Sequence, residues 1–117
     1  MTTHRQPSIS THVLDLETGQ PAAGVPVSLS RLEGEQFVLQ SRQETNDDGR
    51  IASLLPDALQ PGTYRLYFDV AAYLQRRGAG ETFITNVTIE FHIQDTGRHY
   101  HIPLLVSRYS CASYRGS

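Results

Sequence analysis

Three histidines and a few polar partners are the residues of this 117-residue chain whose types and spacing could do chemistry. His99 and His101 flank Tyr100. On a strand, residues i and i+2 share a face, so both imidazoles point away from the apolar face of Tyr100, Ile102 and Leu104. His12 shares a face with Ser10 and Leu14 by the same rule. Imidazole titrates near neutral pH, so two of these side chains around a small pocket make a general acid/base pair. A His-x-His on a strand with a distant third histidine is also a style of zinc site, which draws in His12, His99 and His101. Imidazoles on polar strand faces can equally be inert, and spacing alone does not choose. Arg50 follows the Asp48-Gly49 turn and opens a strand. Its planar fork suits a carbonyl-rich or anionic ligand, or it is a solvated arginine at a strand edge. The segment Tyr114-Arg115-Gly116-Ser117 crowds an aromatic ring, a bidentate donor and a hydroxyl at a chain end, where most sequences fray.

Other chemistries find no support. There is no Gly-x-Ser-x-Gly elbow, no phosphate-cradling glycine loop and no Cys-x-x-Cys. The single cysteine, Cys111, excludes an intrachain disulfide and reads as a small buried apolar residue in a reducing compartment. Ten basic against twelve acidic residues leave a formal charge of −2, with no basic excess for nucleic acid. No stretch approaches the ~20 apolar residues of a membrane span. The polar start suggests no secretory signal, and the expected location is cytoplasmic.

The elements that must position these residues are strands. The chain suits one domain, expected over residues 9–117 behind a loose segment 1–8. Surface scaling gives roughly 6,400 Å² folded against about 19,000 Å² extended, enough burial for a core without staples. Period-two alternation is clearest in Phe83 to Gln94, Thr63 to Asp69 and Tyr100 to Ser107. Shorter strands are expected at Ile9 to Leu16, Val25 to Leu32, Phe37 to Gln43, Arg50 to Leu54 and Cys111 to Arg115. Turns fall at Thr18 to Pro21, Glu33-Gly34-Glu35, Asn46 to Gly49 and Pro61-Gly62. One segment breaks the pattern: Asp69 caps a short helix through Ala71 to Arg76 that Gly78 ends. The fold class that follows is all-β, an antiparallel two-sheet sandwich with one short helix.

These pieces together resemble a known family. Ser10-Thr11-His12-Val13-Leu14-Asp15 and Gly19-Gln20-Pro21-Ala22-Ala23-Gly24-Val25-Pro26-Val27 look like the opening of the transthyretin-related proteins. Thr45-Asn46-Asp47-Asp48-Gly49-Arg50, Gly62-Thr63-Tyr64-Arg65 and Phe68-Asp69 are similar to their inner signatures. His99-Tyr100-His101-Ile102-Pro103-Leu104-Leu105 and the closing Tyr114-Arg115-Gly116-Ser117 resemble the 5-hydroxyisourate hydrolase branch rather than the hormone carriers. The resemblance runs from about Ile9 to Ser117. It implies a transthyretin-like sandwich and a homotetramer, a dimer of dimers, whose central channel holds the active sites. It also implies hydrolysis of 5-hydroxyisourate to 2-oxo-4-hydroxy-4-carboxy-5-ureidoimidazoline in urate degradation, with no metal or organic cofactor. Carried over by position, the catalytic residues are His12, Arg50 and His101, with Tyr114, Arg115, Gly116 and Ser117 binding substrate. The approach to the tail departs from the pattern. Close relatives read Ser-Pro-Tyr-Gly-Tyr-Ser-Thr where this chain has Ser107-Arg108-Tyr109-Ser110-Cys111-Ala112-Ser113. A carrier binding a small aromatic ligand in the tetramer channel is the alternative function.

Overall fold

The computed structural model describes residues 6–116. Its elements in chain order are β1 (Ile9–Asp15), β2 (Gln20–Pro21), β3 (Pro26–Glu33), β4 (Gln36–Glu44), β5 (Arg50–Ile51), β6 (Gly62–Phe68), α1 (Val70–Arg77), β7 (Val87–Ile93), β8 (Tyr100–Val106) and β9 (Cys111–Ser113). They form two sheets. One runs β2-β1-β8-β9, with β5 also pairing β1; the other runs β4-β3-β6-β7. Every pairing is antiparallel except β1 with β8, which is parallel. This is the all-β two-sheet sandwich with one short helix.

Alternation explains the core. Ile9, Val13, Ile102, Leu104 and Val106 point inward from the first sheet. Val27, Leu29, Tyr64, Leu66, Phe68 and Ile93 meet them from the second. Fully burying one such side chain is worth about 1.5–3 kcal/mol, so the two inner faces hold the layers together. The other face of β1 and β8 is left free to carry polar side chains.

The helix forms where alternation stops. Asp69 accepts from Ala72 N at 3.1 Å, satisfying one of the N–H groups a helix start leaves open. Gly78 ends it in the left-handed region at φ 77°, a conformation open to glycine at no steric cost. Val70, Tyr73 and Leu74 are its buried side.

Several expected boundaries move. The strand expected from Phe83 begins only at Val87. Phe83 N and Ile84 N donate instead to Arg108 O, at 3.1 and 2.9 Å, and Phe83 is 77% exposed. The segment from Arg50 to Leu54 pairs for two residues only. Cys111 is exposed on the edge strand β9, which corrects its reading as a buried residue. Of the segment before Ile9, Ser8 is buried, and its Oγ lies 2.6 Å from Ser53 Oγ. Ser117 lies outside the described residues.

Candidate active site

The polar face of the β1–β8 pair gathers most of the singled-out residues. Parallel pairing sets Ser10 beside His101 and His12 beside Pro103. On the other side of β1, antiparallel pairing sets Arg50 beside His12. Side chains of paired residues leave a sheet on the same face, so His12, Arg50, His101 and Ser10 share one surface. The inward neighbour Thr11 ties the two strands, its Oγ1 donating to Ile102 O at 2.6 Å.

Arg50 is delivered by a turn built to one shape. Asn46 Oδ1 accepts from Asp48 N at 2.9 Å and from Arg50 N at 3.0 Å. Gly49 N donates to Asn46 O at 2.9 Å, and Val13 N donates to Gly49 O at 2.7 Å. Gly49 sits at φ 74°, and a Cβ there would lie 2.5 Å from Val13 O. Only glycine has both the backbone freedom and the absent side chain this approach needs. Buried Thr45 anchors the base of the turn: its Oγ1 accepts from Val25 N and donates to Ala22 O.

A cavity of about 360 Å³ opens on this face, within the usual range for small-molecule sites. Arg50, His101, His99, Ser10 and Asn46 line it. Ser10 Oγ lies 2.7 Å from His99 Nε2 and 2.8 Å from His101 Nδ1, bridging the two imidazoles. Burial holds His101 below the ordinary histidine value, and the neighbouring charges of Arg50, His12 and His99 push the same way. These surroundings favour the neutral form of the imidazole. Ser10 and Asn46 were not among the expected site residues. Ser10 had a signal in the alternation that puts it on the face of His12. Asn46 had one as the first residue of the turn before Arg50.

The tail divides. Gly116 N donates to His101 O at 2.7 Å, continuing the antiparallel register of β8 with β9. A Cβ on Gly116 would lie 3.0 Å from His101 Cδ2, so the tail passes close because this residue has none. Tyr114 and Arg115 do not line the histidine cavity within the chain. They border a second cavity of about 240 Å³, mostly apolar, with Ile89 and Phe91 of β7 and Tyr100 and Ile102 of β8. The Arg115 guanidinium lies 5.4 Å from the centre of the Tyr100 ring.

The zinc arrangement is not assembled. Among the described residues no three His, Cys, Asp or Glu side chains are placed to hold a metal ion. His99 and His101 face each other across a hydroxyl instead.

Arg108, in the turn between β8 and β9, has its own contacts. Arg108 Nε donates to Glu17 Oε2 at 2.9 Å, and its NH1 donates to Ala79 O at 3.2 Å. The β8–β9 turn is thereby tied to the end of α1.

A profile of the HIUase/Transthyretin family matches residues 9–116. The 5-hydroxyisourate hydrolase of Mus musculus is 42% identical over 120 residues, covering all of both chains. The solved structure of the Klebsiella pneumoniae 5-hydroxyisourate hydrolase superposes with a TM-score of 0.84 at 39% identity, covering 96% of this chain and all of that one. Transthyretin from Sparus aurata superposes with a TM-score of 0.88 at 26% identity, covering 96% of this chain and 97% of that one.

Proposed function

The chain belongs to the HIUase/Transthyretin family, and on that premise we propose that it is a hydrolase of 5-hydroxyisourate acting in urate degradation. The observation that carries the chemistry is the shared face of His12, Arg50 and His101 on β1, β5 and β8. A carrier needs a cavity but no paired imidazoles beside a guanidinium.

The reaction is hydrolytic opening of the six-membered ring at an acyl C–N bond. His12 takes a proton from water as the water oxygen bonds to the acyl carbon. Arg50 binds substrate carbonyls and offsets the charge developing on the acyl oxygen. The C–N bond then breaks and the leaving nitrogen takes up a proton, with His101 orienting the reacting groups. Gly116 beside His101 brings the tail to the edge of the site. Tyr114 and Arg115 close the pocket against stray water. No step calls for a metal or an organic cofactor.

The assembly is a homotetramer, a dimer of dimers. Two features support it. Each sheet ends on an open edge, β9 in one and β7 in the other, and unpaired edges are natural templates for a second copy. Tyr114 and Arg115 also border a cavity next to β7 rather than the one lined by His99 and His101 of their own chain. The protein acts in the cytoplasm, a reducing compartment that suits the exposed thiol of Cys111.

Producing 5-hydroxyisourate in the cuvette from urate with urate oxidase tests the reading. Its ultraviolet absorbance should decay much faster with the protein than without, and equally fast with a chelator present. An unchanged decay with the folded protein would leave the carrier function; a decay slowed by chelator would restore the metal.

A further inference from the structure

Two of the site's histidines are linked through one serine hydroxyl. We propose that Ser8, His99 and Ser10 form a one-way hydrogen-bond relay that holds His101 as a neutral imidazole with its proton on Nε2. His99 and Ser10 are then positioning residues for the reaction. The catalytic consequence rests on the hydrolase reading; the proton placement does not.

The direction follows from the one donor that cannot reverse. Ser8 backbone N–H lies 3.2 Å from His99 Nδ1 and can only donate, so that nitrogen holds a lone pair. The proton of His99 is therefore on Nε2, 2.7 Å from Ser10 Oγ. Ser10 Oγ accepts it, and its own single proton points to the remaining partner, His101 Nδ1 at 2.8 Å. His101 Nδ1 accepts, which leaves the His101 proton on Nε2. Ser10 is 7% exposed and both imidazoles are half-buried, so water competes weakly for these bonds.

The relay resists charge at both rings. Protonating His101 at Nδ1 aims two N–H donors at Ser10 Oγ and takes away the acceptor of its hydroxyl proton. Protonating His99 at Nδ1 sets that proton against Ser8 N–H. Among the described residues, the charged groups that act on His101 do so in the same sense: Arg50 from β5, His12 from β1, and His99 from the segment before β8. None of these described groups is a carboxylate that would favour the imidazolium.

A neutral imidazole with a fixed Nε2 proton is a hydrogen-bond donor rather than the base. Neutral imidazoles serve other enzymes in this way, polarising a carbonyl without giving up the proton. The proton count then closes on His12 alone. It takes a proton from water as the C–O bond forms, and returns it to the nitrogen as the C–N bond breaks. His101 ends each turnover as it began.

Nitrogen NMR of the histidine-labelled full chain at pH 7.5 reads the relay without substrate. His101 should show an unprotonated Nδ1 and a protonated Nε2. Ser10→Ala should give mixed tautomers and raise the His101 titration towards the ordinary value. It should also lower kcat roughly 10–100-fold, less than the ~10⁴ seen where a catalytic imidazole is held in the wrong tautomer. Ser10→Thr keeps the hydroxyl and should return both tautomer and titration. If Ser10→Ala fails to fold, His99→Phe keeps a ring and removes the bond that sets the direction, and it too should give mixed tautomers. A proton on His101 Nδ1 in the unmodified chain overturns the relay. So does a Ser10→Ala chain with unchanged tautomer and unchanged pH profile. The expected tautomer in a chain that leaves 5-hydroxyisourate untouched would keep the relay and overturn the hydrolase reading.

Discussion

The two faces of β1 hold charge on opposite terms. Outward, Ser10, Arg50 and His101 line an open cavity, and His12 shares their sheet face without lining it. Inward and one turn of the alternation further, Asp15 is wholly buried. Its Oδ2 accepts from Tyr73 Oη at 2.8 Å and pairs with Arg77 Nε at 2.9 Å, while its Oδ1 accepts from Glu17 N at 2.9 Å. Burial first, and then the Asp15 carboxylate, push the Tyr73 phenol up to about 12. Every group there is committed to a partner in the same chain, and the result is the docking of α1 onto the end of β1. Outward, His101 is held through Nδ1 by Ser10 Oγ, which leaves its Nε2 available to a ligand. The difference is between charge that holds a helix and charge held ready for a substrate.

Substitutions on the two faces should therefore separate activity from stability. On the outward face, His12→Ala or His101→Ala should lower kcat at least ~10²-fold, and Arg50→Ala roughly 10²–10³-fold, with little change in Tm. Steady-state kinetics on 5-hydroxyisourate decides, and near-normal kcat in any of the three removes the role given to that residue. On the inward face the pattern should invert. Breaking a buried ion pair costs roughly 3–5 kcal/mol, and the partial exposure of Arg77 places Asp15→Asn at the low end. That corresponds to a fall in Tm on the order of 10 °C for a domain of this size. The kcat of the folded fraction should stay within a few-fold of the unmodified protein; a large loss would mean the two faces are coupled.

Gly116→Ala sharpens the comparison at the edge of the outward face. The new methyl would press on His101 Cδ2 and O, so the ring or the tail must shift by a few tenths of an ångström. A misplacement of about 1 Å can cost 10²-fold in rate, so roughly a 10-fold fall in kcat is expected with Tm almost unchanged. Unaltered kcat would show that the tail does not help to place the imidazole.

How much of this was legible in the sequence depends on range. Alternation placed the inward and outward residues of β1, β6 and β8 because burial acts on each residue separately. Asp69 and Gly78 marked the helix because caps are local chemistry. Pairing partners were not legible: nothing in the spacing says that His12 meets Arg50 or that Ser10 reaches both His99 and His101. Those contacts span about forty and about ninety positions and depend on the parallel β1–β8 register. Phe83 to Asn86 alternates like a strand, yet its backbone bonds the turn at Arg108, a tertiary preference that local pattern does not carry. Cys111 was misread because its small apolar character says nothing about lying on a sheet edge.

The smallest expected effect tests Arg108, in the turn between β8 and β9. The hydrogen bond from Arg108 is the main cause that holds the Glu17 carboxyl below its ordinary value, with Arg77 adding to it against some burial. A carboxyl with a lowered folded value stabilises the fold above the unfolded value, and that contribution is lost as pH falls through the folded one. Exposed pairs contribute little, so Arg108→Ala should lower Tm only slightly at pH 7. The gap between the two proteins should begin to close as the pH falls below the ordinary carboxyl value, and be gone once it lies below the lowered value of the unmodified protein, where Glu17 carries its proton in both. High salt should narrow it at pH 7 as well, since the pair is open to solvent. A gap that persists at low pH would assign the role of Arg108 to its other bond, the one to Ala79 O, which carries no titrating partner.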